Sequence, residues 1–179
     1  MESIQHKTKQ LAVLGMLLAI IAVLSWLEHM LPPLPALPPN IRLGLSNVVT
    51  MYALFFLGRG PAFTLTVLKS LFVLLTRGAT AGLMSLCGGL FSITVILLLS
   101  LLPGGRISYL LLSVAGAIAH NIGQIVIASF LLGVNLVLYY LPVLILFGVL
   151  MGSVTGMLLR VVLPLFEKTF SKGYGGRLR

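Results

Sequence analysis

The sequence predicts an all-α integral membrane protein, a six-transmembrane-helix bundle, and three observations carry that expectation. Apolar residues make up 59% of the 179 residues and charged residues only 8%, where a soluble domain carries about a quarter. Aspartate does not occur, and the acids are Glu2, Glu28 and Glu167. The apolar runs are broken only by short turns rich in proline, glycine and arginine, and a chain of this length holds six runs of the roughly 20 residues that cross a bilayer.

Residues 1–10 form a short N-terminus with Lys7 and Lys9 ahead of the first run. Span one is expected from Leu11 to Leu31. It ends in Trp26-Leu27-Glu28-His29 with no small-residue cleavage site, so it reads as an uncleaved span and not a signal peptide. The loop that follows, residues 32–39, holds Pro32, Pro33, Pro35, Pro38 and Pro39. Proline lacks an amide hydrogen and restricts its predecessor, so this loop is not helical and is expected to cap the bundle. Span two runs from Leu43 to Leu57 and stops at Gly58-Arg59-Gly60-Pro61; span three runs from Ala62 to Thr76 and ends at Arg77-Gly78. Both are short, which predicts tilted partners joined by a tight turn, or one helix broken inside the bundle. Span four is expected from Ala81 to Leu102, span five from Ile107 to Leu132, and span six from Tyr139 to Phe166 with a bend near Pro142. The membrane domain is therefore 11–166, followed by a basic tail, 167–179, and no soluble domain is expected.

The formal net charge is +9, but the cations sit in short loops and at the ends, as topology determinants do. A nucleic-acid reader would gather them on one face, so no nucleic-acid partner is expected. With both termini inside, Lys7, Lys9, Arg59, Arg106, Arg160 and the tail cations lie on the inner side. Only Arg42 and Arg77 then lie near the outer surface, as the positive-inside rule prefers. The lone Cys87 sits in an apolar run and reads as a packed small residue. No G-x-x-x-x-G-K-[ST] loop, metal-spaced His/Cys/carboxylate cluster or hydrolase elbow occurs. Neither an enzyme, a cofactor nor a metal is expected, and energy for transport would have to come from a partner.

Small residues predict how the helices meet. Span six places Gly148, Gly152 and Gly156 at four-residue spacing, and span four carries Gly82, Ser85, Gly88, Gly89 and Ser92. Such stripes let helix backbones approach closely inside the bundle. Gly15 and Ala19, with Ala12 and Ala22 near the same face, are different. A first helix at the bundle edge can present them either to its neighbours or to another protein.

Polar groups inside the spans point to a site, because ionisable residues at membrane depth are costly and default to function. Glu28 and His29 close span one, and Arg42 enters span two with Asn47 and Thr50 following. Thr66, Lys69, Ser70 and Arg77 share a face of span three, and Ser113, His120, Asn121 and Gln124 share a face of span five. Four spans thus bring polar groups toward the outer half, beneath the proline loop, where they predict an outward-facing cavity. Candidate ligand contacts are Asn47, Lys69, His120, Asn121 and Gln124, with Arg42, Arg77 and Glu28 at its outer edge. The alternatives are structural: Glu28 and Arg42 as an interfacial pair, Arg77 reaching headgroups, Asn121 and Gln124 as interhelical glue. Lys69 needs Glu28, a carbonyl or an anion as its partner. The positive balance of the group favours an anionic or strongly polar ligand.

The stretches Arg42-Leu43-Gly44-Leu45-Ser46-Asn47-Val48-Val49-Thr50, Val114-Ala115-Gly116-Ala117-Ile118-Ala119-His120-Asn121-Ile122-Gly123-Gln124 and Tyr139-Tyr140-Leu141-Pro142-Val143 resemble the Gx transporter family. That family is often labelled heptaprenyl diphosphate synthase component I. The similarity extends from about Ala12 to Leu165, and the block Ala119 to Gln124 is its most specific part. The family is similar in turn to the substrate-binding S components of energy-coupling factor (ECF) transporters. That resemblance implies a six-helix protein of the bacterial cell membrane, both termini cytoplasmic, with a ligand site under the first loop. It also implies docking on an ECF transmembrane coupling protein and ATPase subunits through small residues of the first helix, often Ala-x-x-x-Ala. Gly15 and Ala19 stand at that place here, a departure at one residue. The alternative is a non-catalytic membrane subunit associated with quinone, flavin or isoprenoid metabolism or electron transfer. The synthase label does not fit as catalysis, since a prenyl transferase needs aspartate-rich magnesium sites.

Overall fold

In a computed structural model the described residues, 2–30, 44–101, 107–133 and 136–170, form six helices. They are α1 (Glu2–Met30), α2 (Asn47–Phe56), α3 (Arg59–Arg77), α4 (Ala79–Ser100), α5 (Tyr109–Leu132) and α6 (Leu136–Phe170). The described residues contain no strand. The helices alternate up and down, so α1 and α3 end and α4 begins at one side of the bundle, toward which the N-terminus of α2 points.

Among the described residues four segments are long and apolar enough to cross a bilayer: Gln10–Met30, Ala79–Ser100, Tyr109–Leu132 and Tyr139–Val161. This is a multi-pass all-α membrane protein. α3 has the length for a crossing, at 19 residues or about 28 Å. It is less apolar because Arg59, Lys69 and Arg77 all belong to it. α2 has only ten residues, about 15 Å, and is not a full crossing. Boundaries move accordingly. α1 extends N-terminally to Glu2, α2 loses the residues before Asn47, and α6 continues as helix through Pro142. The proline loop 32–39, Arg42 and the tail after 170 lie outside the described residues.

The length of α2 fixes where its ends sit. Its C-terminus joins α3 through Leu57 and Gly58, so both helices start from one side of the bundle. Ten residues up from that turn α2 has reached Asn47, while α3 has reached Lys69, halfway along its length. The N-terminus of α2 therefore opens inside the bundle and not at its surface. Its first amides would be unsatisfied there, and a tight turn resolves them. Asn47 N–H donates to the Gly44 carbonyl at 2.8 Å, Val48 to Leu45 at 3.2 Å and Val49 to Ser46 at 3.3 Å. Gly44 makes this turn possible with φ +79°, a region side chains disfavour.

α4, α5 and α6 pack backbone to backbone along their glycines. A Cβ on Gly123 would lie 2.9 Å from Gly88 Cα, and one on Gly148 would lie 3.0 Å from Ile118 Cα. α5 and α6 are further tied by Asn121, whose Nδ2 donates to the Leu144 carbonyl at 2.9 Å. The main apolar core is formed where Leu17 and Ile21 of α1 meet α2, Ala62 and Leu65 of α3, and Ile93 and Ile96 of α4. Phe55 packs edge-on against Tyr109 at 5.1 Å, joining the lower end of α2 to the start of α5. α1 is the least enclosed helix. Ala12, Gly15 and Ala19 are exposed, and nothing approaches within 4 Å of a Cβ built on Gly15.

Candidate functional site

The polar side chains converge where α1 ends, α2 begins and the upper half of α3 meets α4 and α5. Hydroxyls on these helices are mostly spent locally: Thr66 donates to the Ala62 carbonyl at 3.0 Å and Ser70 to Thr66 at 2.8 Å. This is the ordinary way for a helix to satisfy a buried hydroxyl, and it leaves Lys69 as the group that reaches across. Lys69 Nζ donates to Asn47 Oδ1 at 2.5 Å, so its partner is a side-chain carbonyl at the mouth of α2. Glu28 Oε1 accepts from the Gly44 N–H at 2.5 Å, which anchors the turn before α2 to the end of α1. Arg77 Nη2 donates to the Ser25 carbonyl, tying the top of α3 to the same stretch of α1.

These groups enclose a cavity of about 30 Å³ lined by Ser25, Glu28, Gly44, Ser46, Lys69, Val73, Arg77, Ala81, Ser85, His120 and Gln124, room for about two waters. Glu28 is 3% exposed, Lys69 5%, His120 2% and Gln124 5%. A second cavity of about 10 Å³ adjoins it. Gly44 and His120 belong to both, and its other walls include Asn47, Asn121, Ser92, Ser113 and Thr155. Ser113 Oγ there lies 3.6 Å from Met51 Sδ, a weak contact. Among the described residues no group of three His, Cys or carboxylate side chains is placed to hold a metal.

Two buried side-chain atoms have no hydrogen-bond partner among the described residues: His120 Nδ1 and Gln124 Oε1. Both side chains line the larger cavity. A buried polar atom left unmade costs about 1–3 kcal/mol, and two of them one helical turn apart mark the wall where a hydrogen-bonding group is wanted. Gly88 shapes that wall. A Cβ there would come within 2.9 Å of the His120 ring and of Gln124 Cγ, so α4 can lie against both only because this residue is glycine.

The sequence-expected residues thus divide. Glu28, Lys69, Arg77, His120 and Gln124 meet around the larger cavity, while Asn47 and Asn121 reach the smaller one. Arg42 lies outside the described residues. Ser25, Ser46 and Ser85 were missed as lining. Ser25 sits three residues before Glu28, on its face, and that spacing could have found it. Ser85 was assigned to the packing stripe of α4. Cys87 is only half-buried.

A family model described as heptaprenyl diphosphate synthase component I matches residues 16–162. No curated protein and no solved structure matches the chain. The matched segment includes every described cavity-lining residue and all helices from α2 to α5, with the second half of α1 and most of α6. By that match the chain belongs to the heptaprenyl diphosphate synthase component I family, the Gx transporter family.

Proposed function

We propose that this protein is the substrate-binding component of a membrane transport system, similar to an ECF S component. It captures a small polar or anionic compound from the outer side of a bacterial cell membrane and relies on coupling proteins for energy. The observation that carries this reading is the buried cavity on which charged and amide side chains from three helices, α1, α3 and α5, converge, with His120 Nδ1 and Gln124 Oε1 still seeking partners. Ionisable groups buried at membrane depth are costly and default to function, and a ligand in this cavity would meet them. Catalysis plays no part in this function. Native mass spectrometry of the protein purified in mild detergent tests it: a water-soluble metabolite should be retained and should be lost in Lys69→Met. The family's description favours a second reading, a non-catalytic subunit of isoprenoid, quinone or flavin metabolism, and retention of a long-chain isoprenoid alone would select it.

The proposed orientation puts both termini in the cytoplasm and the cavity outside, as the cation distribution favours. In a Cys87→Ala background, Thr80→Cys should react with an impermeant thiol reagent on intact cells and Gly60→Cys should not. The reverse pattern inverts the orientation and removes uptake from outside.

Docking to a coupling protein is proposed through Gly15 and Ala19 on the open face of α1. Because Gly15 has open space around it and Ala19 is exposed, Gly15→Leu with Ala19→Leu should change stability by less than about 0.5 kcal/mol. The same pair should abolish co-purification with the ECF coupling and ATPase subunits. Intact co-purification in that variant would move the docking surface elsewhere.

A further inference from the structure

The walls of the larger cavity restrict the chemistry of its ligand. Lys69 and Arg77 face it against Glu28, so the lysine, arginine and glutamate side chains of the described walls sum to one net positive charge. The mouth of α2 adds to this. Gly44 and Ser46 stand in the wall at the N-terminal end of a ten-residue helix, where the helix field favours an anion. The first amides of α2 are taken by its own turn, so this end supplies field and not donors.

The part of the wall formed by His120 and Gln124 asks for something neutral. His120 Nδ1 and Gln124 Oε1 have no partner among the described residues. A hydroxyl both donates and accepts, so it satisfies either imidazole tautomer and either setting of the carboxamide. An ammonium only donates, and a ligand carrying one alongside a carboxylate would leave the wall's positive charge unbalanced. Apart from the imidazole, the described lining has no aromatic ring, and its hydrocarbon is Val73 and Ala81; a flat ring system finds nothing there to stack on. The space is about 30 Å³, room for about two waters, so the smaller the acid the less the helices have to part.

We propose that the ligand is a compact, non-aromatic hydroxy acid of single negative charge, its acid group between Lys69 and Arg77 and its hydroxyl on Gln124 and His120. This rests on the substrate-binding reading above and narrows it to a substrate class.

The test uses the full chain in detergent, with thermal stabilisation and equilibrium dialysis read against glycolate, lactate and glycerate. Acetate and propionate serve as analogues without the hydroxyl, alanine and serine as zwitterions, and riboflavin 5′-phosphate as an aromatic anion. At least one hydroxy acid should bind about tenfold or more tightly than its deoxy analogue, the ratio expected of one hydrogen bond. Gln124→Leu should bring that ratio close to one, and Lys69→Met should abolish binding of both. Equal binding of hydroxy and deoxy acids, a preference for the zwitterions, binding of the flavin alone, or no binding in the panel overturns the proposal. If the panel fails while native mass spectrometry still finds another polar metabolite that Lys69→Met releases, the transport reading stands without this substrate class. If only an isoprenoid is found, both fall.

Discussion

Gly152→Ala is expected to destabilise the protein by about 3 kcal/mol, lowering the thermal midpoint by roughly 6–12 °C. The added Cβ would stand 2.5 Å from Val114 Cα, and 3.0 Å from both Ser113 O and Val114 N. All three are backbone atoms of α5, so no rotamer change relieves the clash. The helices would have to part by about 1 Å to restore ordinary carbon–carbon contact. Gly148 and Gly156 hold the turns on either side against Ile118 and Leu110 in the same way, so a local bend cannot absorb the shift. The Asn121 bond to Leu144 spans this interface, and parting the helices stretches it. Gly15→Ala is the matched control, since a Cβ there meets nothing within 4 Å. Thermal unfolding of both variants in detergent checks this. A Gly152→Ala protein as stable as the parent would mean that α5 and α6 do not meet along this stripe.

That stripe was legible in the sequence because close helix contact leaves a periodic mark, small residues every fourth position. The same holds for the buried faces. Lys69 with Thr66 and Ser70, and His120 with Asn121 and Gln124, follow the helical repeat, and all are buried as their spacing predicts. What the sequence concealed is depth. Leu43 to Leu57 reads as one apolar run, yet residues 44–46 form a turn and α2 starts only at Asn47. Hydropathy does not distinguish apolar turn from apolar helix, and the difference moves Asn47 from near the bundle's surface to the level of Lys69. Partnerships were hidden for a related reason. Lys69 and Asn47 lie 22 residues apart and Arg77 and Ser25 lie 52 apart, separations at which no local pattern operates. Gly88 was visible as a packing residue; its role in seating His120 and Gln124 depends on which helix faces it.

The Lys69–Asn47 contact makes the most decisive prediction about the site, because its two halves should fail in opposite ways. Lys69 is 5% exposed, and its ammonium is held in a dry layer by Asn47 Oδ1. Burying a charge costs several kcal/mol that its contacts only partly return, so replacing it with an apolar group of similar length is often neutral or stabilising. Lys69→Met should therefore leave the ligand-free protein as stable as the parent or more so, the flexible thioether filling the space. Stabilisation by bound ligand should fall by about 1.5–3 kcal/mol, the range for a hydrogen bond to a charged group. Asn47→Leu keeps the charge and removes its acceptor, stranding the ammonium, and should destabilise the ligand-free protein by a similar 1.5–3 kcal/mol or more. A bound anion would then replace the acceptor that Lys69 has lost, so ligand should stabilise Asn47→Leu more than it stabilises Lys69→Met. Thermal unfolding of both variants with and without ligand reads all four quantities. Equal destabilisation of the two ligand-free variants would make the contact interhelical glue, and unchanged ligand affinity in Lys69→Met would take the ammonium out of the site.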